Sequence, residues 1–227
     1  MFAPQVEALA PEFRVITWDE RGFGETEFDG EPFTYWDSAA DCLGLLDHLG
    51  IERAVVGGMS QGGFLSLRAA LTAPERVRAL VLIDTQSGVE DPERLPAYRQ
   101  MQQTFLDVGP VDELAQAISG LIIGDPVVSE PWIEKWRRMP RESMRQTGDC
   151  LFERDDITSR VGEITCPAIV IHGTADMSIE IELAEQLCSA LPGCSGLVRI
   201  EGAPHASNLT HPDAVNPPLL EFLRGLG

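Results

Sequence analysis

The five residues Gly58-Met59-Ser60-Gln61-Gly62 lie between a short apolar run, Ala54-Val55-Val56-Gly57, and a helical pattern, Phe64-Leu65-Ser66-Leu67-Arg68-Ala69-Ala70-Leu71. A strand that turns at once into a helix leaves the serine between them with φ above zero. Glycine is expected two residues to either side, where a Cβ would collide with the neighbouring strand or helix. The string carries little by itself; the strand before it and the helix after it make the reading. Ser60 is therefore the first candidate catalytic residue, the exposed nucleophile of a sharp turn.

The rest of the chain supplies the sheet that such a turn requires. Arg14-Val15-Ile16-Thr17-Trp18 reads as a strand, Phe33 to Leu49 as a helix closed by Gly50, and Ala54 to Gly57 as a second strand. Pro74 and Glu75 end the helix after Ser60, and Val77 to Ile83 is a third, almost wholly apolar strand. Continuous apolar runs of this kind belong to strands covered by helices on both faces, hence to a parallel sheet. The rhythm resumes with a strand at Ala168-Ile169-Val170-Ile171-His172, a helix near Ile179 to Leu191, a strand at Gly196 to Ile200 and a last helix near Pro212 to Leu226. The expected architecture is a doubly wound, mostly parallel α/β sheet.

Between about Thr85 and Ile164 the alternation stops, and amphipathic stretches such as Val111 to Ile123 alternate with Asp91-Pro92, Gly109-Pro110 and Glu130-Pro131. An insertion of this size after a strand predicts a helical cap over the strand ends. The expected division is residues 1–84 and 165–227 as core and 85–164 as cap. Trp132 and Trp136 are four apart and share one helix face, beside Arg137 and Arg138. Such a pair either packs the cap onto the core or lines a pocket in which an arginine meets a substrate carboxylate.

With 227 residues, 44% of them hydrophobic and 23% charged, the chain is long enough for one sizeable core. Asp and Glu total 36 against 17 Lys and Arg, a net charge of -19. Phosphates would be repelled, which argues against nucleic acid or anionic membranes as partners. No apolar stretch approaches the ~20 residues that span a bilayer. Cys42, Cys150, Cys166, Cys188 and Cys194 form no CxxC pair and are odd in number. With no secretory signal, they read as reduced thiols of a cytoplasmic protein rather than as disulfides or zinc ligands, and no metal or other cofactor is expected.

A serine hydroxyl needs a base to take its proton and an acid to orient that base. His172 ends a buried strand, His48 ends a helix, and His211 precedes Pro212 at the start of the last helix. His205 remains, in the loop Glu201-Gly202-Ala203-Pro204-His205 after the final strand, at the carboxyl edge where open α/β sheets place their sites. For the acid, Asp176 in His172-Gly173-Thr174-Ala175-Asp176 competes with Asp84 at the end of the third strand. Asp84 reads equally as a buried carboxylate holding a turn. The order Ser60, Asp176, His205 is that of an α/β-hydrolase triad and favours Asp176.

Over nearly its whole length the chain resembles the α/β-hydrolase superfamily. Asp19-Glu20-Arg21-Gly22-Phe23-Gly24 is similar to the family's D-x-R-G-x-G loop, Gly173-Thr174-Ala175-Asp176 to its acid loop, and Pro204-His205 followed by Pro212 to its histidine end. Pro74-Glu75-Arg76-Val77-Arg78-Ala79-Leu80-Val81-Leu82 most resembles the small bacterial esterases, enol-lactonases and C–C bond hydrolases, and serine at position 60 disfavours the branches that use aspartate there.

The resemblance implies transfer of an acyl group from a small ester or lactone to water. Ser60 would attack, His205 would carry the proton, Asp176 would orient the imidazole, and the Gln61 backbone N–H would receive the oxyanion. Trp132, Trp136 and Arg137 would shape the substrate pocket. Family members also carry, ahead of a segment like Met1-Phe2-Ala3-Pro4-Gln5-Val6, a strand and a His-Gly loop that supplies a second oxyanion donor. The expectation is thus a fold shortened at its N-terminus, with a gap between the strands at Val15 and Val55. Two other readings are a catalytically weak or silent domain that binds a small molecule or partner, and an enzyme using the same triad as a haloperoxidase, perhydrolase or C–C bond hydrolase.

Overall fold

In the computed structural model, which describes residues 1–227, the most apolar segments form the centre of a four-stranded parallel sheet. The strands are β1 (Ala54–Met59), β2 (Val77–Ile83), β3 (Ala168–Gly173) and β4 (Cys194–Ile200), in the spatial order β1-β2-β3-β4. Alternation along β2 and β3 explains why both faces are covered, since successive side chains point to opposite faces. Leu80, Leu82, Ala168 and Val170 enter one apolar cluster, and Val81, Ile83, Ile169 and Ile171 enter the other.

The first cluster is closed by α2 (Tyr35–His48), α3 (Gln61–Thr72) and α8 (Ile181–Ala190), through residues such as Ala39, Leu67 and Leu187. The second is closed by α9 (Ser207–Thr210) and α10 (Pro212–Gly225), with α1 (Ala3–Leu9) packed on both. Between β2 and β3 lie four helices, α4 (Leu95–Val108), α5 (Asp112–Ile122), α6 (Pro126–Arg137) and α7 (Ser143–Phe152), then a 3-10 turn at Thr158–Glu163. The chain is tied back to the core by the buried Arg68 of α3, whose Nη2 donates to Asp155 Oδ1 at 2.7 Å and to the Asp155 carbonyl at 2.7 Å. No helix is long and apolar enough to cross a membrane.

Two expectations are corrected. Arg14–Trp18 forms no strand, because the sheet ends at β1 and offers the segment no ladder. A β-favouring run without a partner has nowhere to place its backbone hydrogen bonds. Among the cysteines, Cys188 and Cys194 form a disulfide. The turn Leu191-Pro192-Gly193 between α8 and β4 brings their Cα atoms to 5.5 Å, within bridging range. Cys42, Cys150 and Cys166 are free. The cytoplasmic expectation therefore loses the support it drew from unpaired thiols.

Candidate active site

β1 ends at Met59 and α3 begins at Gln61, so Ser60 alone makes the turn, with φ 51° and ψ −112°. Two hydrogen bonds hold this left-handed residue: its N–H donates to the Ile83 carbonyl at 2.9 Å, and its own carbonyl accepts from Thr85 Oγ1 at 2.8 Å. A Cβ on Gly58 would come inside 3.0 Å of Gly62 backbone atoms, and one on Gly63 inside 3.0 Å of the Thr85 side chain. A Cβ on Gly62 would meet nothing within 4 Å. The steric need for glycine thus falls on Gly58 and Gly63, and Gly62 is the backbone to which Gly58 gives way.

Asp176 and His205 stand on the loops that follow β3 and β4. His205 Nδ1 lies 2.7 Å from Asp176 Oδ2, with both side chains almost wholly buried. The other carboxylate oxygen, Oδ1, accepts from the N–H groups of Ser178 at 2.7 Å and Ile179 at 3.0 Å. Burial by itself would raise the Asp176 carboxyl, but hydrogen bonds from His172 and His205 outweigh it and hold the group well below the ordinary carboxylate range. Asp176 is therefore an anion at neutral pH. An anion at Nδ1 fixes the tautomer that keeps the His205 proton there and leaves the Nε2 lone pair free.

His172, which the sequence places only at the end of a strand, touches the same carboxylate. Its Nε2 is 2.9 Å from the Ile179 carbonyl and 3.3 Å from Asp176 Oδ2. Burial lowers its pKa, yet the hydrogen bond to Asp176 and the charge of Asp84 outweigh that and raise it.

Asp84 does what a turn-holding carboxylate does. It accepts from Gly173 N–H at 2.8 Å, Ser207 N–H at 3.0 Å and Ser207 Oγ at 2.6 Å, joining the end of β3 to the start of α9. Burial pushes its pKa up to about 6, against the Ser207 hydrogen bond and the nearby histidines. Asp84, His172 and Asp176 offer ligand atoms within 4.8 Å of one another, as a metal would need. Protein donors already occupy both carboxylates there.

Ser60, Gln61 and His205 open onto one cavity of about 280 Å³, walled mainly by α4, α5 and α7. Trp136 lines it. Trp132 and Arg137 do not. Trp132 packs against the second apolar cluster under the Lys135 ammonium, 4.7 Å from its ring centre. Arg137 turns to Asp112 at 2.9 Å and Glu134 at 3.2 Å. Two carboxylates within reach hold this guanidinium at the surface, and Arg138 likewise pairs with Glu134 at 2.9 Å.

Residues 1–212, which carry this φ-positive serine and the acid–histidine pair, match the family model of the alpha/beta hydrolase fold. The chain belongs to the α/β-hydrolase family. An esterase from Thermogutta terrifontis superposes with a TM-score of 0.90 at 28% identity, covering 99% of this chain and 85% of that one. The enol-lactonase from Burkholderia xenovorans gives 0.87 at 28% identity, covering 98% and 85%. A proposed carbamate hydrolase, RutD, from Agrobacterium fabrum is 30% identical over 97% of this chain and 86% of its own length.

In this α/β-hydrolase the residue after the serine offers a backbone amide and anchors its side chain. The Gln61 N–H belongs to the first turn of α3, where amides have no intrahelical acceptor and the helix dipole favours negative charge. Its side-chain Oε1 accepts from Tyr35 Oη at 2.7 Å, and Tyr35 is buried against Phe64. Nothing in the sequence marked Tyr35. His172 carried a signal, since it ends β3 only four residues before Asp176.

Proposed function

We propose that this α/β-hydrolase cleaves a carboxylic ester or lactone of a small molecule, with Ser60 as nucleophile, His205 as base and acid, and Asp176 as orienting anion. The observation that carries the reading is the 2.7 Å Asp176–His205 hydrogen bond, buried beside a cavity that Ser60 also lines. Ser60 Oγ attacks the acyl carbonyl as His205 Nε2 removes its proton; the imidazolium is stabilised by Asp176 and returns the proton to the leaving alkoxide. The oxyanion of the tetrahedral intermediate accepts from the Gln61 N–H at the positive end of α3. Water then enters by the same steps in reverse order and releases the acid.

The likeness to an esterase and an enol-lactonase supports the substrate type. The test is hydrolysis of a panel of short esters and lactones by the wild type and Ser60→Ala. Turnover by the wild type that falls by several orders of magnitude in the variant is expected; equal rates in the two proteins would refute the assignment.

A further inference from the structure

The cavity beside Ser60 contains no cation. Its one charged wall residue is acidic: Glu90, whose Oε2 receives a hydrogen bond from Arg154 Nη1 at 2.9 Å. That arginine stands behind the wall, its guanidinium 4.4 Å from the centre of the Phe64 ring, and it also donates to the carbonyls of Gly88 and Leu151. Two more guanidinium groups bond to wall residues: Arg68 donates to the Phe64 carbonyl at 3.0 Å and pairs with Asp155 at 2.7 Å, and Arg99 touches Gln102 Oε1 but is shared between Asp149 at 2.6 Å and Glu153 at 2.7 Å. Each of the three guanidinium groups that bond to the wall is therefore matched by a carboxylate. Arg137 and Arg138, the candidates for meeting an anionic substrate, are likewise paired on the surface.

What remains on the wall is apolar and adaptable. Phe105, Trp136 and Phe152 offer ring surface, and Met101, Met139 and Met144 offer flexible thioethers that repack around a ligand. A carboxylate entering this space would exchange its hydration for thioether and aromatic surface, a costly transfer without a partner. The net charge of -19 opposes its approach as well. The volume is about twice that of a cavity which takes up benzene, of about 150 Å³.

Resting on the ester-hydrolase reading above, we infer that the substrate is an uncharged ester or lactone whose apolar alkyl or aryl group fills this cavity, and that carboxylate-bearing analogues are rejected. The selectivity comes from the absence of an unpaired cation. It sets this chain apart from any hydrolase whose pocket holds an arginine for an anionic acyl chain.

The test uses three 4-nitrophenyl esters: pentanoate, glutarate with a free terminal carboxylate, and glutarate as the terminal amide. Amide and carboxylate have nearly the same shape, so their ratio isolates charge. We expect kcat/KM to fall in the order pentanoate, amide, carboxylate, with the carboxylate at least ~100-fold below the amide. Met139→Lys, which adds a cation to the wall, should raise the carboxylate-to-amide ratio at least ~10-fold, as a long stem lets the ammonium reach the mouth. A carboxylate ester turned over as fast as the amide overturns the inference while leaving the hydrolase reading intact.

If no ester is turned over, the hydrolase reading fails. Calorimetric binding of 4-phenylbutanamide and 4-phenylbutanoate to the wild type then decides the pocket's preference. Tighter amide binding upholds it, and equal or tighter carboxylate binding overturns it.

Discussion

Gly58→Ala and Gly62→Ala should part company sharply, although both glycines frame the same serine. A Cβ on Gly58 would lie 2.6 Å from the Gly62 carbonyl oxygen and closer still to that residue's Cα. Ordinary carbon contacts begin about 1 Å further out. Both sides of the clash are backbone, so relief requires β1 and α3 to separate. Overpacking of this kind costs about 1–3 kcal/mol where side chains can adjust, and about 3 kcal/mol or more is expected here. The same shift displaces Ser60 and the Gln61 N–H by about 1 Å, and a misplacement of that size costs about 10²-fold in rate.

At Gly62 an added methyl meets nothing within 4 Å, and its φ is not in the positive region. Alanine should therefore be neutral or stabilise by about 0.5–1 kcal/mol through its better helix propensity. Urea unfolding followed by circular dichroism gives both changes, and ester turnover gives the rate. If Gly62→Ala destabilised as much as Gly58→Ala, the packing account of the turn would be wrong.

Asp176→Asn should lower ester turnover by about 10⁴-fold through loss of the correct tautomer, and Asp84→Asn by far less in protein that remains folded; the reverse ranking would mean that Asp84 is the acid. Stability should also depend on pH through Asp84, whose pKa is raised from 3.8 to about 6. A raised carboxyl favours the folded state at low pH, so wild type should lose stability relative to Asp84→Asn as pH rises from about 4 to about 7, by about 3 kcal/mol, measured by urea midpoints across that range. Tyr35→Phe removes the hydroxyl that holds Gln61 Oε1 and should cost about 0.5–1.5 kcal/mol of stability with a loss of turnover below ~10-fold; a larger rate loss without loss of stability would place Tyr35 in the chemistry itself.

The elements most legible in the sequence are those whose signal is physical at short range. Val77 to Ile83 is interrupted only by Arg78 and Ala168 to Ile171 is wholly apolar, and both belong to interior strands. Ser60, Asp176 and His205 were singled out by their places at strand ends, which is a property of topology readable from element order. Arg14–Trp18 failed because strand propensity says nothing about whether a neighbour is present to pair with. Arg137 failed because a surface arginine reads alike whether or not Asp112, 25 residues away, completes an ion pair. Tyr35 and the Cys188–Cys194 bridge depend on how α2 meets α3 and how α8 turns into β4, and those approaches are settled by packing.

The claim on which the account turns is that Ser60 is activated by His205. A fluorophosphonate probe followed by peptide mass spectrometry measures it directly. One labelled residue, Ser60, is expected, with labelling abolished in Ser60→Ala and slowed by several orders of magnitude in His205→Ala. Labelling at another residue, or at Ser60 with the same rate in His205→Ala, would contradict it.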